Sequence, residues 1–99
     1  MSNLDPVVVS PNEYRLLQET PDARMVEMKL APGASDTEHS HPHEFVYFVH
    51  GSKVRIHTGG ETLELDLPDG HVMDHEPWTH RVENIGDREL LAVIFEPKR

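Results

Sequence analysis

The sequence predicts an all-β domain, either a sandwich or a barrel. Three observations carry that prediction. Apolar and polar residues alternate over short runs. Turn chemistry separates the runs at short intervals, as in Ala31-Pro32-Gly33, Gly59-Gly60, Pro68-Asp69-Gly70 and Gly86-Asp87. Helical periodicity is nearly absent.

In chain order, Val7-Val8-Val9 reads as a short strand able to pair with a neighbour, and the stretch from Pro11 to Glu19 as a turn or two of helix burying Tyr14, Leu17 and Leu16. Met25 to Leu30 alternates, with Val26, Met28 and Leu30 on one face and Glu27 and Lys29 on the other. Phe45 to Val49 is aromatic and β-branched, the composition of a well-buried strand. Lys53 to His57 places Val54 and Ile56 inward, and Gly59-Gly60 then signals a hairpin. Thr62 to Leu67 sets Leu63, Leu65 and Leu67 inward. His71 to His75 is a less apolar strand, Arg81 to Asn84 a short one, and Leu90 to Phe95 the last.

The chain of 99 residues is read as one domain, 1–99, with a barrel core at about 25–96 and an N-terminal extension at 1–24. It holds 18 acidic and 9 basic residues, a formal charge of −9, and no basic stripe, which argues against nucleic acid as a partner. No uninterrupted apolar run exceeds six residues, far short of a membrane-spanning helix. The opening MSNLDPVVVSPNEYR lacks the basic and apolar regions of a signal peptide, so a soluble, cytoplasmic protein is expected. With no cysteine, a metal would have to be held by nitrogen and oxygen.

The stretch EHSHPHEFVYFVHG supplies such donors. In a strand, His39, His41 and His43 share one face, and two imidazoles at that spacing can chelate one ion. A further ligand must come from a distant segment, and His80 in EPWTHRVEN is the strongest candidate. Glu44 stands at an odd offset from His41, so a regular strand would turn it to the opposite face. A bend at Pro42, which lacks a backbone donor, would return it. A site of three histidines, or one recruiting His43, fits the sequence equally well. His50, His57, His71 and His75 read as surface residues. No nucleophile motif and no glycine-rich phosphate loop is present.

These residues resemble two motifs of the cupin superfamily over roughly 25–96. Gly33, His39, His41, Glu44 and Gly51 follow the first motif, with two residues between His41 and Glu44 where the family has three or four. Gly70, His80 and Asn84 follow the second, without its central Pro-x-Gly and one residue shorter from glycine to histidine. The resemblance implies a cupin-type jelly-roll β-barrel or sandwich, preceded by a short N-terminal strand or helical turn. It implies one divalent transition metal ion per chain (Fe, Mn, Ni, Zn or Cu) on His39, His41, Glu44 and His80, and a homodimer.

Two functions follow as expectations. One is a metal-dependent oxygenase or isomerase acting on a small polar or carboxylate-bearing molecule, with Glu44 as fourth ligand or catalytic base. The other is a non-catalytic module that binds or senses a small ligand or metal, in a pocket walled by Val46, Phe48, Trp78 and Ile94.

Overall fold

The structure is a computed structural model and describes residues 4–98. One helical turn, α1 (Pro6–Val9), precedes nine strands among the described residues: β1 (Tyr14–Glu19), β2 (Ala23–Leu30), β3 (His39–His41), β4 (Glu44–His50), β5 (Lys53–Thr58), β6 (Glu61–Asp66), β7 (Val72–His75), β8 (Trp78–Asn84) and β9 (Leu90–Pro97). They form a five-stranded sheet, β1-β2-β9-β4-β7, and a four-stranded sheet, β3-β8-β5-β6. All pairings are antiparallel. The inner faces enclose one core that includes Val26, Met28, Leu30, Val46, Phe48, Val54, Ile56, Val82, Leu90, Ala92 and Ile94. This is the all-β architecture of a jelly-roll sandwich.

Four expectations change. Val7-Val8-Val9 forms the helical turn and no strand. Asp5 caps it by accepting from the Val7 amide at 3.1 Å, and Pro6 stands at the first helical position, where its fixed φ favours helix. The stretch from Pro11 to Glu19 is not helical. Tyr14 onward is strand β1, and Leu16 and Leu17 are exposed while Tyr14 is buried. Pairing with β2 outweighs a weak local preference, and the β1–β2 turn is closed by the Thr20 amide donating to the Ala23 carbonyl at 2.8 Å. Strand β4 is half-buried rather than well buried. Val46 and Phe48 face the core, and Phe45 and Tyr47 face outward. On β6 only Leu67, just beyond the strand, is buried. Leu63 and Leu65 stand opposite Ile56 and Val54 on the inner face, but β6 is an edge strand and both stay partly exposed.

Two glycines have a clear structural reason. Gly59 and Gly60 have φ of 56° and 80°, the left-handed pair that a two-residue hairpin turn requires between Thr58 and Glu61. A Cβ on Gly51 would lie 1.8 Å from the Leu67 carbonyl oxygen, so only glycine admits this crossing of backbones. Asn84 is fully buried. It donates to the Leu30 and Arg88 carbonyls and accepts from Ser52 Oγ and the Gly86 amide, which ties the loop before β9 to the sheet.

Candidate metal centre

Strand β3 is the edge of the four-stranded sheet and pairs with β8 in the register His39↔His80, Ser40↔Thr79 and His41↔Trp78. The period of two turns His39 and His41 to the interior together, and the cross-strand register brings His80 against them. The three rings are buried, with centroids 4.7 Å apart for His39–His41, 4.7 Å for His39–His80 and 5.3 Å for His41–His80. One ring nitrogen of each can be chosen so that all three lie within 4.8 Å of one another.

The hydrogen bonds settle which nitrogens of His39 and His41 carry the proton. His39 Nδ1 lies 2.7 Å from the Thr37 carbonyl, which can only accept, so Nδ1 carries the proton and Nε2 the lone pair. His41 Nδ1 lies 2.7 Å from Glu96 Oε2, and the same reasoning leaves its Nε2 free. His80 is the outlier: both of its ring nitrogens are buried with no hydrogen-bond partner among the described residues. A buried unsatisfied imidazole is costly, and in a native protein it calls for an explanation such as a ligand or ion. Burial, with His39 and His41 as like-charged neighbours, pulls the His80 pKa down to about 2. Burial likewise pulls His39 down to about 4. Both rings are therefore neutral, the form that binds metal.

Glu44 reaches the interior because the chain changes sheets. It bends at Pro42-His43, leaves β3 in one sheet and enters β4 in the other. The Glu44 carboxylate is buried, 3.5 Å from His41 Nδ1, and accepts from Trp78 Nε1 at 2.7 Å. It clusters with His41 and Glu96 rather than with the three histidines as a set. Burial raises its pKa, against the lowering influence of His41 and of the Trp78 hydrogen bond. His43 lies apart from the site. It stacks on Phe45 and contacts Asp74 at 3.2 Å.

Sequence reasoning missed four contributors: Tyr14, Asp36, Glu96 and Arg24. The Tyr14 hydroxyl donates to Asp36 Oδ2 at 2.8 Å and lies 3.1 Å from His39 Nε2. Burial lifts Asp36 to about 6, against the Val82 amide and Tyr14 hydroxyl that donate to it. Glu96 continues the inward row Leu90, Ala92, Ile94 by one more alternation, a signal the sequence did carry.

The cavity beside the histidines is small, with about 40 Å³ open to the centres of water molecules, room for a few waters. Val46, Phe48, Trp78 and Ile94 all line it, with His41, Glu44 and His80 supplying its polar side. Among the described residues, no lysine or arginine lines it. Trp78 stacks on His75 with centroids 3.6 Å apart and packs against His80 at 4.1 Å.

No family model and no curated protein matches this sequence. Solved structures do. A cupin domain from Bordetella pertussis Tohama I superposes with a TM-score of 0.80 at 20% identity, covering 87% of this chain and 92% of that one. A double-stranded β-helix protein from Klebsiella pneumoniae gives 0.68 at 22% identity, covering 98% and 81%. KdgF from a Halomonas species gives 0.56 at 26% identity, covering 87% and 78%. With these neighbours, its two antiparallel sheets and the buried histidines of β3 and β8, the chain has the fold of the cupin superfamily.

Proposed function

We propose that the chain is a small metal-dependent enzyme, an oxygenase or isomerase, in which His39, His41 and His80 hold one divalent transition metal ion. The observation that carries this reading is His80, a buried imidazole whose two nitrogens have no partner among the described residues, beside two histidines that each carry the proton on Nδ1 and the lone pair on Nε2. Three imidazole donors suit Fe(II), Ni(II), Cu(II) or Zn(II) better than Mg²⁺ or Ca²⁺, which favour oxygen donors. Bound there, the ion would act as a Lewis acid or redox centre with positions open to a substrate.

Glu44 is the proposed base, or a fourth ligand after a change of side-chain position. Its carboxylate borders the cavity, and its raised pKa suits taking and returning a proton. The substrate is a small molecule whose polar end meets His41, Glu44 and His80 and whose apolar body runs along Val46, Phe48 and Ile94. With no lysine or arginine among the described residues of the lining, a carboxylate group would be neutralised by the metal. The chain is further proposed to act as a homodimer.

A non-catalytic binding module is the second reading, favoured by the small apolar volume of the cavity. Metal content by mass spectrometry, on protein purified without a histidine tag, tests the shared premise. About one ion per chain, lost in the His39→Ala/His41→Ala double variant, supports the site. No metal after supply of Fe, Mn, Ni, Zn and Cu removes it. Incubation of the loaded protein with a metabolite pool then separates the readings, because product marks an enzyme and an intact retained ligand marks a binder.

A further inference from the structure

The geometry points to Glu96, backed by Arg24, as the positioning residue that decides which nitrogen of His41 faces the metal site. This inference rests on the metal-site reading above.

Glu96 ends the inward row of β9 and stands in register with Arg24 of β2, so two charged residues meet on the inner face of the five-stranded sheet. Glu96 is 2% exposed, and both of its oxygens are engaged. Oε1 accepts from Arg24 Nε at 2.6 Å, and Oε2 accepts from His41 Nδ1 at 2.7 Å. Glu44 also approaches His41 Nδ1, but at 3.5 Å, beyond a good hydrogen bond, and its other oxygen is held by Trp78. Glu96 is thus the acceptor that keeps the His41 proton on Nδ1 and the lone pair on Nε2. His39 gets the same tautomer from a backbone carbonyl, so His41 is the ligand candidate whose orientation depends on a side chain.

Arg24 fixes Glu96 from the side away from His41, with Nε donating to Oε1 while Oε2 faces the ring. The guanidinium is itself anchored on its far side, where NH2 meets Asp5 Oδ1 at 2.9 Å and NH1 meets Asp5 Oδ2 at 3.2 Å. A planar fork held between two carboxylates has little freedom to rotate. Carboxylates behind metal-bound histidines fix the ring tautomer and raise ligand basicity in this way.

In Glu96→Gln the amide oxygen would turn to Arg24 and the amide NH₂ to His41 Nδ1, which drives the proton to Nε2, the nitrogen the metal needs. The test uses ¹⁵N-labelled, untagged, metal-stripped protein. Long-range ¹H–¹⁵N spectra read the imidazole tautomers, and zinc titration by calorimetry reads affinity. Wild type is expected to show His41 as the Nδ1–H tautomer. Glu96→Gln is expected to shift His41 toward Nε2–H, leave the His39 tautomer unchanged, and weaken zinc binding roughly 10–100-fold. Arg24→Gln, which keeps the carboxylate, is expected to weaken zinc binding less.

A wild-type His41 protonated on Nε2 overturns the inference. So does a Glu96→Gln zinc affinity within about twofold of wild type, given the roughly 10-fold minimum expected. Should Glu96→Gln fail to fold, the wild-type tautomer and the affinity of Arg24→Gln decide the matter. Wild type that binds no metal while His41 keeps Nδ1–H sinks the metal-site reading and supports the orienting role of Glu96.

Discussion

His39 and His80 stand directly opposite each other across β3 and β8, with ring centroids 4.7 Å apart, and only His39 has its ring nitrogens partnered. One cross-strand register therefore joins two segments about forty residues apart in sequence and leaves one imidazole unsatisfied in the interior. No described protein group satisfies that imidazole, which leaves it available to a ligand.

The first prediction concerns the conflict between stability and binding at His80. Replacing a buried unsatisfied polar group by an apolar one of similar size removes a desolvation penalty of about 1–3 kcal/mol. His80→Leu is therefore expected to raise the urea midpoint of the metal-free protein while abolishing metal binding. Destabilisation of the metal-free protein, or retained metal, would count against a ligand role for His80.

The second prediction is a pH dependence of stability without metal. The folded pKa values of His39 and His80, about 4 and about 2, lie below the unfolded value near 6.5. As pH falls through 6.5 the unfolded chain takes up protons that the folded chain refuses, so stability falls. Asp36, raised to about 6, and Glu44, also raised, act in the opposite sense, since the folded chain binds their protons first. The two histidines titrate in the unfolded chain across this whole range and outweigh the two carboxyls, and the net loss between about pH 7.5 and about pH 6.0 is up to roughly 1 kcal/mol. Urea melts at the two pH values measure it. Equal or greater stability at the lower pH would show that these rings are not buried as neutral groups.

A third prediction uses Trp78, the single tryptophan of the chain. Its ring centroid lies 4.1 Å from that of His80, so a paramagnetic ion on the histidines would lie within quenching distance. Titration with Cu(II) or Ni(II) is expected to quench tryptophan emission in wild type and to leave it nearly unchanged in His39→Ala/His41→Ala. Equal quenching in both would place the ion elsewhere.

Much of the candidate site is legible because its histidines obey period two. His39 and His41 announce a shared face, and His80 with Asn84 marks a second strand. The rest was hidden for physical reasons. Tyr14 reads as helical because the neighbouring Leu16 and Leu17 break the alternation, and the structure has an irregularity in the β1–β2 register at that point, between Leu16 and Gln18. Val7-Val8-Val9 has strand composition, but Asp5 and Pro6 start a helical turn there. Leu63 and Leu65 do point to the inner face, yet nothing in the sequence tells that β6 lies at a sheet edge. The part played by Glu44 depends on a change of sheet at Pro42-His43, which periodicity along one strand does not encode. Arg24 and Glu96 become a pair only through the β2–β9 register.

The last prediction concerns the proposed homodimer. The outer face of the five-stranded sheet carries Met25, Phe95 and Phe45 in one cross-strand row and Tyr47 with Val72 in the next, all exposed. A contiguous apolar face of this kind marks an interaction surface, and a second copy stacking sheet to sheet would cover it. Each chain brings a formal charge of −9, so two copies repel, and salt should screen that repulsion. Light scattering at micromolar concentration is expected to show a dimer that tightens as salt rises. Phe95→Glu, placing charge at the centre of the row, is expected to give a monomer with an essentially unchanged melting temperature, because this side chain lies outside the core. A wild-type monomer at both low and high salt would remove the dimer, and a Phe95→Glu dimer would move the interface to another face.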